Sequence, residues 1–507
     1  MDSTHHGARS AVWAIVAAAA LLTGCASTNQ RHGSAGGIPG LTSGPSATTV
    51  AGGPSGNTPG GAVGVGGGAS GGGAASGGGT STGGGGGGVG GGGSSAGASG
   101  AAPGSVGTGG AIVLAPGTHG TVKIGLGYPT NLSAAYAAFG ANNLTGSDWK
   151  VWIAPIVDWV NAHGGIGGRT VVPVYHATDP ESGTFQSQAQ QACTAFTEDD
   201  HVFAVVGTVI ADNEYDCLAQ KNTPFLAQTA VLTDQSTLTT HPGLVYQPFM
   251  ITSQRLGVWL DSIVSQHFFS PTAKTGLLEV DTPAYHHFAD TVIKPRLAAN
   301  AIKLSDEIAF GVPSSAASAG DLFAQAGSAV LRFRSEGITH IVLSPTGGAI
   351  PFVFMQAAES QKYRPRYALN SLEVPAFVTQ NVPVAQLHGS LGVGWLPASD
   401  VFYKEVVHGV NPAEDLCYKI TKRNGDEVKR YCDGLFFLKA ALDHNPDFSV
   451  AGLRATVESM GTSFDSPWTF GTRFGPGRYD GASEVRPLAY VDACNCYRYS
   501  GGVIPVG

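Results

Sequence analysis

A long glycine-rich run is the feature that most constrains what this chain can fold into. From about Arg31 to Pro116 the sequence is almost entirely Gly, Ser, Ala and Thr. Such a segment has no apolar surface to offset the entropy lost on ordering, which predicts a flexible coil with a reach of roughly 50 Å. We therefore expect a tether ahead of a folded body that begins near Thr118. The alternative is a low-complexity insertion without a task.

The segment before the tether, residues 1–24, predicts a signal peptide. A polar start with Arg9 is followed by the apolar run Ala11–Leu22, which is shorter than the roughly 20 residues of a spanning helix. The run ends Leu-Thr-Gly-Cys25 and resembles the lipobox of bacterial lipoproteins, whose cysteine carries a diacylglycerol after cleavage. This resemblance implies a protein of the cell envelope, lipid-anchored at Cys25 on the outer face of the cytoplasmic membrane. The alternative is an ordinary cleaved signal with an incidental cysteine.

Charge and motif content narrow the function classes. The net charge is −8 and only 13% of residues are charged, with no basic stripe, so we expect no nucleic-acid partner. Outside the glycine-rich run the sequence has no G-x-S-x-G elbow, and it has no H-E-x-x-H or Walker A motif, so an enzyme is not expected. His286 and His287 are adjacent rather than four apart, which is a poor arrangement for a metal pair. We expect neither a metal nor a cofactor.

The cysteines that remain after Cys25 predict disulfides, because their number is even and the chain is exported. The stretch from Cys417 to Cys432 reads as a β-hairpin turning at Asn424-Gly425, which places these two cysteines opposite each other. Cys193 and Cys217 lie close in sequence, which leaves the C-x-C pair Cys494 and Cys496. This last pair could instead be redox-active or bind a metal.

The body after the tether alternates strand and helix patterns, which predicts parallel sheets covered by helices. In such sheets ligands bind outside the carboxyl ends of the strands. The strand candidates are short apolar runs at Val122–Leu126, Val171–Tyr175, Val202–Val206, Thr275–Val280 and His340–Leu343. Amphipathic helix candidates lie between them at Trp152–Asn161, Thr184–Phe196, Leu256–His267 and Ala324–Ser335.

Several loops carry a recognisable pattern. Asn161–Arg169 reads N-A-H-G-G-I-G-G-R and is followed by a strand and by Asp179-Pro180. This order resembles the type 1 periplasmic solute-binding proteins, in the Leu/Ile/Val- and amide-binding branch of ABC transporter substrate-binding lipoproteins. The stretch Thr223–Leu226 resembles their fourth strand, and Tyr431–Leu435 is similar to their Y-D-A helix start.

The resemblance implies two doubly wound α/β lobes of parallel sheet that are joined by three crossovers and close on a small molecule. The implied first lobe is residues 118–248 plus 398–475, and the second is 249–397 plus 476–507, after a linker at 25–117. The crossovers are expected near Gln247–Ile251, Gly392–Pro397 and Phe474–Asp480.

The resemblance also implies a ligand site made from both lobes. The family's first-lobe hydroxyls correspond here to Thr208, which would substitute for a serine replaced by Ala211, and to Thr229. Tyr285 matches the tyrosine that closes over the ligand, and Glu373 lies about where the ammonium-binding acid is found. The long first loop, which opens at Tyr128, would form one wall of the pocket.

The function implied is capture of a small polar molecule, an amino acid or an amide-like compound, for an ABC permease. A monomer is expected. The alternative is a ligand sensor or envelope adaptor with the same fold and no transport role.

The lipid anchor can be tested by one substitution. Cys25→Ala removes the thiol that carries the diacylglycerol, so it is expected to release a folded protein into the medium. Fractionation of cells followed by immunoblotting measures the released share. A variant that stays in the membrane fraction as fully as the parent would contradict the anchor.

Overall fold

The structure describes most of the chain from residue 120 onwards and none of residues 1–119. The computed structural model describes residues 120–131, 133, 148–179, 181–207, 212–227, 232–245, 248–311, 313, 315, 318, 320–344, 348–401 and 412–507. Three predicted functional positions, Cys25, Thr208 and Thr229, lie outside these ranges.

The first sheet is parallel throughout its described length and has the strand order β2-β1-β3-β4-β5. Its strands are β1 Thr121–Pro129, β2 Thr170–Thr178, β3 Ala204–Gly207, β4 Phe225–Ala227 and β5 Leu244–Val245. The central strand β3 is buried along its whole length, as expected for a parallel strand covered on both faces. Pro173 lies in β2, which is tolerated because this strand is at the edge of the sheet.

The second sheet has the order β12-β11-β10-β9-β8-β6-β7 among the described residues, and β13 pairs with β11. Strands β6 to β10 are parallel, and β11 to β13 add to them in antiparallel fashion. Its strands are β6 Thr275–Val280, β7 Leu304–Phe310, β8 His340–Leu343, β9 Arg366–Asn370, β10 Leu391–Gly394, β11 Glu484–Val491, β12 Cys496–Tyr499 and β13 Ile504–Pro505. The predicted α/β class with two parallel sheets is confirmed.

Helices connect the strands in both halves of the described body. They are α1 Lys150–Ala162, α2 Phe185–Thr194, α3 Asp212–Gln220, α4 Gln235–Thr240, α5 Thr252–Ser265, α6 Pro283–Phe288, α7 Lys294–Ala299, α8 Gly320–Glu336, α9 Ala349–Ser360, α10 Pro375–Asn381, α11 Pro397–Asp400, α12 Pro412–Thr421, α13 Asp426–His444 and α14 Val450–Ser459. The late helix α13 contacts α1 and β3. The chain therefore returns to the first sheet after building the parallel part of the second.

Two of the segments that run between the sheets are hydrogen-bonded to each other. The backbone N–H of Ile251 donates to Oδ2 of Asp480 at 3.0 Å, and the N–H of Ala482 donates to the carbonyl of Phe249 at 2.9 Å. Burial raises the pKa of the Asp480 carboxyl above its usual range. These paired segments lie where the sequence predicts the first and third crossovers.

The N-A-H-G-G-I-G-G-R stretch makes the tight reversal that its glycines predict. The side chain of Asn161 bonds both backbone groups of Val171, at 2.9 Å and 2.7 Å, and so ties the end of α1 to β2. Gly165 has φ +71°, and a Cβ there would lie 1.9 Å from the carbonyl oxygen of Arg169. Only glycine fits this position.

The hairpin predicted between Cys417 and Cys432 is wrong. The two cysteines lie on α12 and α13, and Asn424-Gly425 turns the chain between helices rather than strands. Acidic residues occupy the first turn of both helices, where their negative charge interacts favourably with the positive end of the helix dipole and stabilises the helix. The Asn-Gly pair marks a turn, and the helix-forming residues around it decide what the turn connects. Because α13 already begins at Asp426, Tyr431 lies inside this helix and not at its start.

Three sulfur pairs are bonded in the structure: Cys193–Cys217, Cys417–Cys432 and Cys494–Cys496, with Cα–Cα separations of 6.2, 5.9 and 5.2 Å. The second bond staples α12 to α13 across the turn. Formation of these bonds in the protein in solution stays a prediction, which peptide mapping without reduction tests.

The bonds are expected to differ in their contribution to stability. Cys417 and Cys432 are 15 residues apart, so replacing both with Ser should lower the free energy of unfolding by about 3 kcal/mol. The Cys494→Ser and Cys496→Ser double variant is the matched control and should lose about 1.5 kcal/mol, because its loop is far shorter. Urea denaturation measures both values. A larger loss from the C-x-C pair would contradict this account.

Candidate functional site

Three neighbouring strands of the second sheet end in buried polar side chains. β8, β9 and β10 are adjacent and parallel, so their carboxyl ends lie side by side. Ser344 directly follows β8, Asn370 ends β9, and Trp395 directly follows β10. All three are fully buried, yet the Ser344 hydroxyl, the Asn370 amide nitrogen and the Trp395 indole nitrogen have no hydrogen-bond partner within the described part of the chain. An unmet buried polar group costs about 1–3 kcal/mol, so three at one edge need an explanation.

The loop after β9 is fixed by a capping box. Oδ1 of Asn370 accepts from the N–H of Leu372 at 2.9 Å, and Oε2 of Glu373 accepts from the N–H of Asn370 at 2.6 Å. Glu373 is fully buried. It lies at the predicted edge of the sheet, but these contacts give it a structural role, because its carboxylate holds the loop after β9 in place. Its role in holding a ligand stays a prediction.

A buried carboxyl joins this edge to the segment that follows β10. Oδ2 of Asp400 accepts from the Tyr499 hydroxyl at 2.7 Å and from the N–H of Leu396 at 3.1 Å. The hydroxyl oxygen of Ser371 accepts from the N–H of Trp395 at 2.8 Å. Burial raises the pKa of Asp400 to about 8, and the nearby Asp426 charge adds to the rise.

From Asp400 the contacts continue towards the first sheet. The neighbouring Ser399 donates to Asp426 at 2.8 Å, and the indole N–H of Trp468 donates to the same carboxylate. The guanidinium of Arg430 lies over the rings of Trp149 and Trp468, 5.3 Å from each centroid. A cation between aromatic faces is stabilised by their quadrupoles.

The contacts end at the carboxyl edge of the first sheet. The Tyr431 hydroxyl donates to the carbonyl of Gly127 in β1 at 2.7 Å, and the ring of Trp149 meets Tyr431 edge-on at 6.1 Å. β3 ends in Gly207 with φ +143°, where a Cβ would lie 2.3 Å from the Gly127 carbonyl oxygen. The strand ends can approach this closely only because residue 207 has no side chain.

Tyr128 lies within β1, one residue before its end, and not at the opening of a loop as the sequence predicts. Its ring is mostly buried and packs edge-on against Tyr175 at 6.2 Å. Burial, and secondarily the charge of Asp148, raises the pKa of its hydroxyl. Its phenol is therefore neutral and able to donate a hydrogen bond at physiological pH.

Tyr285 follows β6 on the short helix α6 and is buried rather than facing solvent. The next residue, His286, holds this helix to the strand, because its ring nitrogens lie 2.5 Å from Glu279 and 3.0 Å from Asp281. Burial, with Glu307 nearby, raises the pKa of Glu279 to about 7. The helix that carries Tyr285 is thus fixed by an ionisable cluster.

Sequence reasoning missed most of the residues that bring the two sheets together. Ser344 had a usable signal, since it directly follows a strand that the sequence predicts. Trp395 and Asp400 had none, because β10 reads L-G-V-G and lacks a strand pattern. Arg430 and Asp426 were assigned to a hairpin that does not form.

The described residues hold neither a metal cluster nor a membrane-spanning helix. No group of three or more His, Cys, Asp or Glu side chains that could hold a metal was found there. In the same residues no helix is both long enough and apolar enough to cross a membrane.

This chain is similar to known proteins in its structure but matches none of them by sequence. No family model and no curated protein matches the sequence. A substrate-binding protein of an ABC transporter from Aeropyrum pernix aligns with 76% of this chain and 96% of its own, at TM-score 0.56 and 12% identity. A solute-binding protein from Rhodopseudomonas palustris HaA2, in complex with p-hydroxybenzoic acid, covers 76% and 97% at TM-score 0.53 and 15% identity. One from Desulfitobacterium hafniense, in complex with Leu, covers 75% and 99% at TM-score 0.51 and 14% identity.

The chain has the type 1 periplasmic binding protein fold. At these identities the likeness shows the fold alone. The ends of β8, β9 and β10 form part of the carboxyl edge of this sheet, and in open α/β sheets generally ligands bind outside that edge.

Asp400 gives the site a testable pH dependence. A carboxyl whose pKa is about 8 in the folded state and about 3.9 unfolded binds its proton more tightly when folded. Its contribution to stability is complete below pH 4 and is lost as the pH rises towards 8, with a slope of about 1.4 kcal/mol per pH unit.

Asp400→Asn mimics the protonated carboxyl and should flatten this part of the profile. Free energies of unfolding at several pH values between 5 and 8 measure the difference between parent and variant. Parallel profiles for the two proteins would contradict the buried neutral acid.

Proposed function

We propose that this protein is an extracytoplasmic, lipid-anchored solute-binding protein that captures a small polar molecule for an ABC importer. The observation that carries the proposal is the continuous set of contacts from Gly127, at the carboxyl edge of the first sheet, to Ser371 at that of the second. Two parallel sheets with their ligand-binding edges joined in this way are suited to enclosing a solute. The structurally similar proteins in complex with Leu and with p-hydroxybenzoic acid support this role.

Both sheets would contribute to the solute site. On the first, Tyr128 would form a wall, and Thr208 and Thr229 would supply hydroxyls from the loops after β3 and β4. On the second, Tyr285 would stack on the solute and Glu373 would border it. These five assignments are part of the proposal.

Closure would take place at the segments that run between the sheets. The pairing of Ile251 with Asp480 and of Ala482 with Phe249 holds two of these segments together. A small change in their backbone angles would rotate the body formed by residues 118–248 plus 398–475 against the remainder. Hinge closure of this kind is common in two-lobed binding proteins.

The lipid and the tether would keep the body close to its membrane partner. A flexible linker with a reach of roughly 50 Å raises the effective concentration of the body for docking. The same arrangement serves a ligand sensor or an envelope adaptor, which is the alternative role. Solute uptake by cells that lack the protein separates the two, because only an importer component is needed for uptake.

A thermal-shift screen of the purified protein tests the proposed binding. The probes are amino acids, amides, urea, polyamines and aromatic acids. A solute at 100 times its dissociation constant should add about 2.7 kcal/mol to the free energy of unfolding. If no small molecule raises the melting temperature, the solute-binding role is wrong and the adaptor role is favoured.

A further inference from the structure

The bond between Cys494 and Cys496 lies at the tip of the β11–β12 hairpin. It encloses a single residue, Asn495, whereas the other two bonds join cysteines that are 24 and 15 positions apart. Cys494 belongs to the turn, and Cys496 is the first residue of β12. Asp492, Ala493 and Asn495 in the same turn are exposed. The bond is therefore carried by a surface turn and not by packed helices.

This turn lies away from the proposed solute site. β11 runs antiparallel to β10, and Ala489 of β11 pairs with Leu391, the first residue of β10. The chain therefore leaves β11 at the amino ends of the parallel strands, which is the edge opposite to the one where the solute is proposed to bind. A second molecule can reach the turn without entering that site.

The other two bonds are less open to an attacking thiolate. Cys417 and Cys432 are fully buried. Cys193 is also fully buried, and its partner Cys217 is half-buried. These last two lie on α2 and α3, which pack against each other, so their sulfur atoms would stay close after reduction and the bond would re-form. Cys494 is half-buried among exposed neighbours, so its side chain can rotate into solvent once the bond is open.

The hairpin itself does not depend on the sulfur atoms. The turn is closed by the backbone, because the N–H of Cys494 donates to the carbonyl of Val491 at 3.2 Å. Three further residue pairs continue the β11–β12 ladder away from the turn: Leu488 with Tyr499, Ala489 with Arg498, and Tyr490 with Tyr497. A bond around so short a loop adds little to the stability of the folded chain. Opening it therefore leaves the fold in place, so that the bond can be opened and closed reversibly.

We propose that Cys494 and Cys496 form a thiol–disulfide exchange site, which a dithiol opens while the other two bonds stay closed. Exposed disulfides are the ones that exchange most readily, and buried structural ones resist reduction. The site differs from the other two bonds in both respects that matter for exchange, which are access to a sulfur atom and a fold that survives the opening. This inference is independent of the proposed solute-binding function.

The exchange takes place in two steps. A thiolate of the dithiol attacks Sγ of Cys494, because Cys496 is fully buried. The bond between the two Sγ atoms breaks, and its electron pair leaves on Cys496, which takes a proton from water. The second thiolate of the dithiol then attacks the mixed disulfide and releases Cys494 as a thiolate, which is protonated in turn. Two electrons and, by way of water, two protons thus pass from the dithiol to the cysteines, and the dithiol becomes a disulfide.

Graded reduction of the purified full-length protein tests the selectivity. The native protein is equilibrated with increasing concentrations of dithiothreitol, and free thiols are then blocked with iodoacetamide. Peptide mapping by mass spectrometry measures the blocked fraction of each cysteine. We expect Cys494 and Cys496 to become half-blocked at a dithiothreitol concentration about tenfold lower than the cysteines of the other two bonds, which serve as internal controls. The protein reduced only at this bond should keep its melting transition.

Two variants identify the sulfur atom that is attacked. Cys496→Ser leaves Cys494 as a free thiol in the turn, and Cys494→Ser leaves the buried Cys496. We expect the Cys494 thiol to react with iodoacetamide about tenfold faster than the Cys496 thiol, because a buried thiol is less accessible and less often ionised. Mass spectrometry of each peptide measures the two rates, and thermal melting shows whether each variant is folded.

Three results would overturn this inference. The first is that the bond between Cys494 and Cys496 opens together with, or after, either of the other two. The second is that the protein reduced only at this bond no longer melts as a folded protein, because the bond would then be structural. The third is that the thiols of the two single variants react equally fast, because the turn would then not present Cys494 to an attacking thiolate.

Discussion

The structure depends on the burial of helix α13, because the charged side chains near its N-terminus lie inside the protein. Every residue from Asp426 to Leu438 is buried, including Lys429 and Arg430. Charges taken out of water must be paired, and removing one partner costs about 3–5 kcal/mol. Lys429 pairs with Glu414, and although burial lowers the pKa of this lysine, the acid opposes the shift. Asp426 pairs with Arg430 of its own helix and also accepts from Ser399 and Trp468 of other segments, so its burial depends on those segments being in place. The same partners connect the two sheets.

The sequence predicts much of this fold because buried parallel strands are short continuous apolar runs. β6 and β8 begin and end where the apolar runs Thr275–Val280 and His340–Leu343 do. β10 could not be found this way, since two of its residues are glycines and its burial comes from its neighbours. The hairpin error at Cys417 has a related cause. The Asn424-Gly425 turn signal is local, whereas the helical spacing on both sides of it and the tertiary burial of α13 decide the structure.

The candidate site could be predicted only in part. Tyr128 lies near the end of β1 and Tyr285 follows β6, two strands that the sequence predicts, and their contact with a ligand stays a prediction. Glu373 follows β9, and its hydrogen bond to the N–H of Asn370 depends on the shape of a loop that spacing does not reveal. The donors of Trp395 and Asn370 are visible only once the hydrogen bonds of the folded chain are known, since both residue types are usually paired when buried. The burial of Asp400 also could not be predicted from the sequence, because it results from the packing of the folded chain.

The central claim is that a solute binds at the carboxyl ends of the strands and contacts both sheets. A crystal structure of the protein with its tightest-binding solute tests this most directly. The account predicts solute density at the ends of β8, β9 and β10, with an oxygen atom within hydrogen-bond distance of the Trp395 indole nitrogen and a contact to the Tyr128 side of the first sheet. Solute bound elsewhere would contradict it, for example in the groove between β7 and α8 that is lined by Ile308, Phe310 and Ala329.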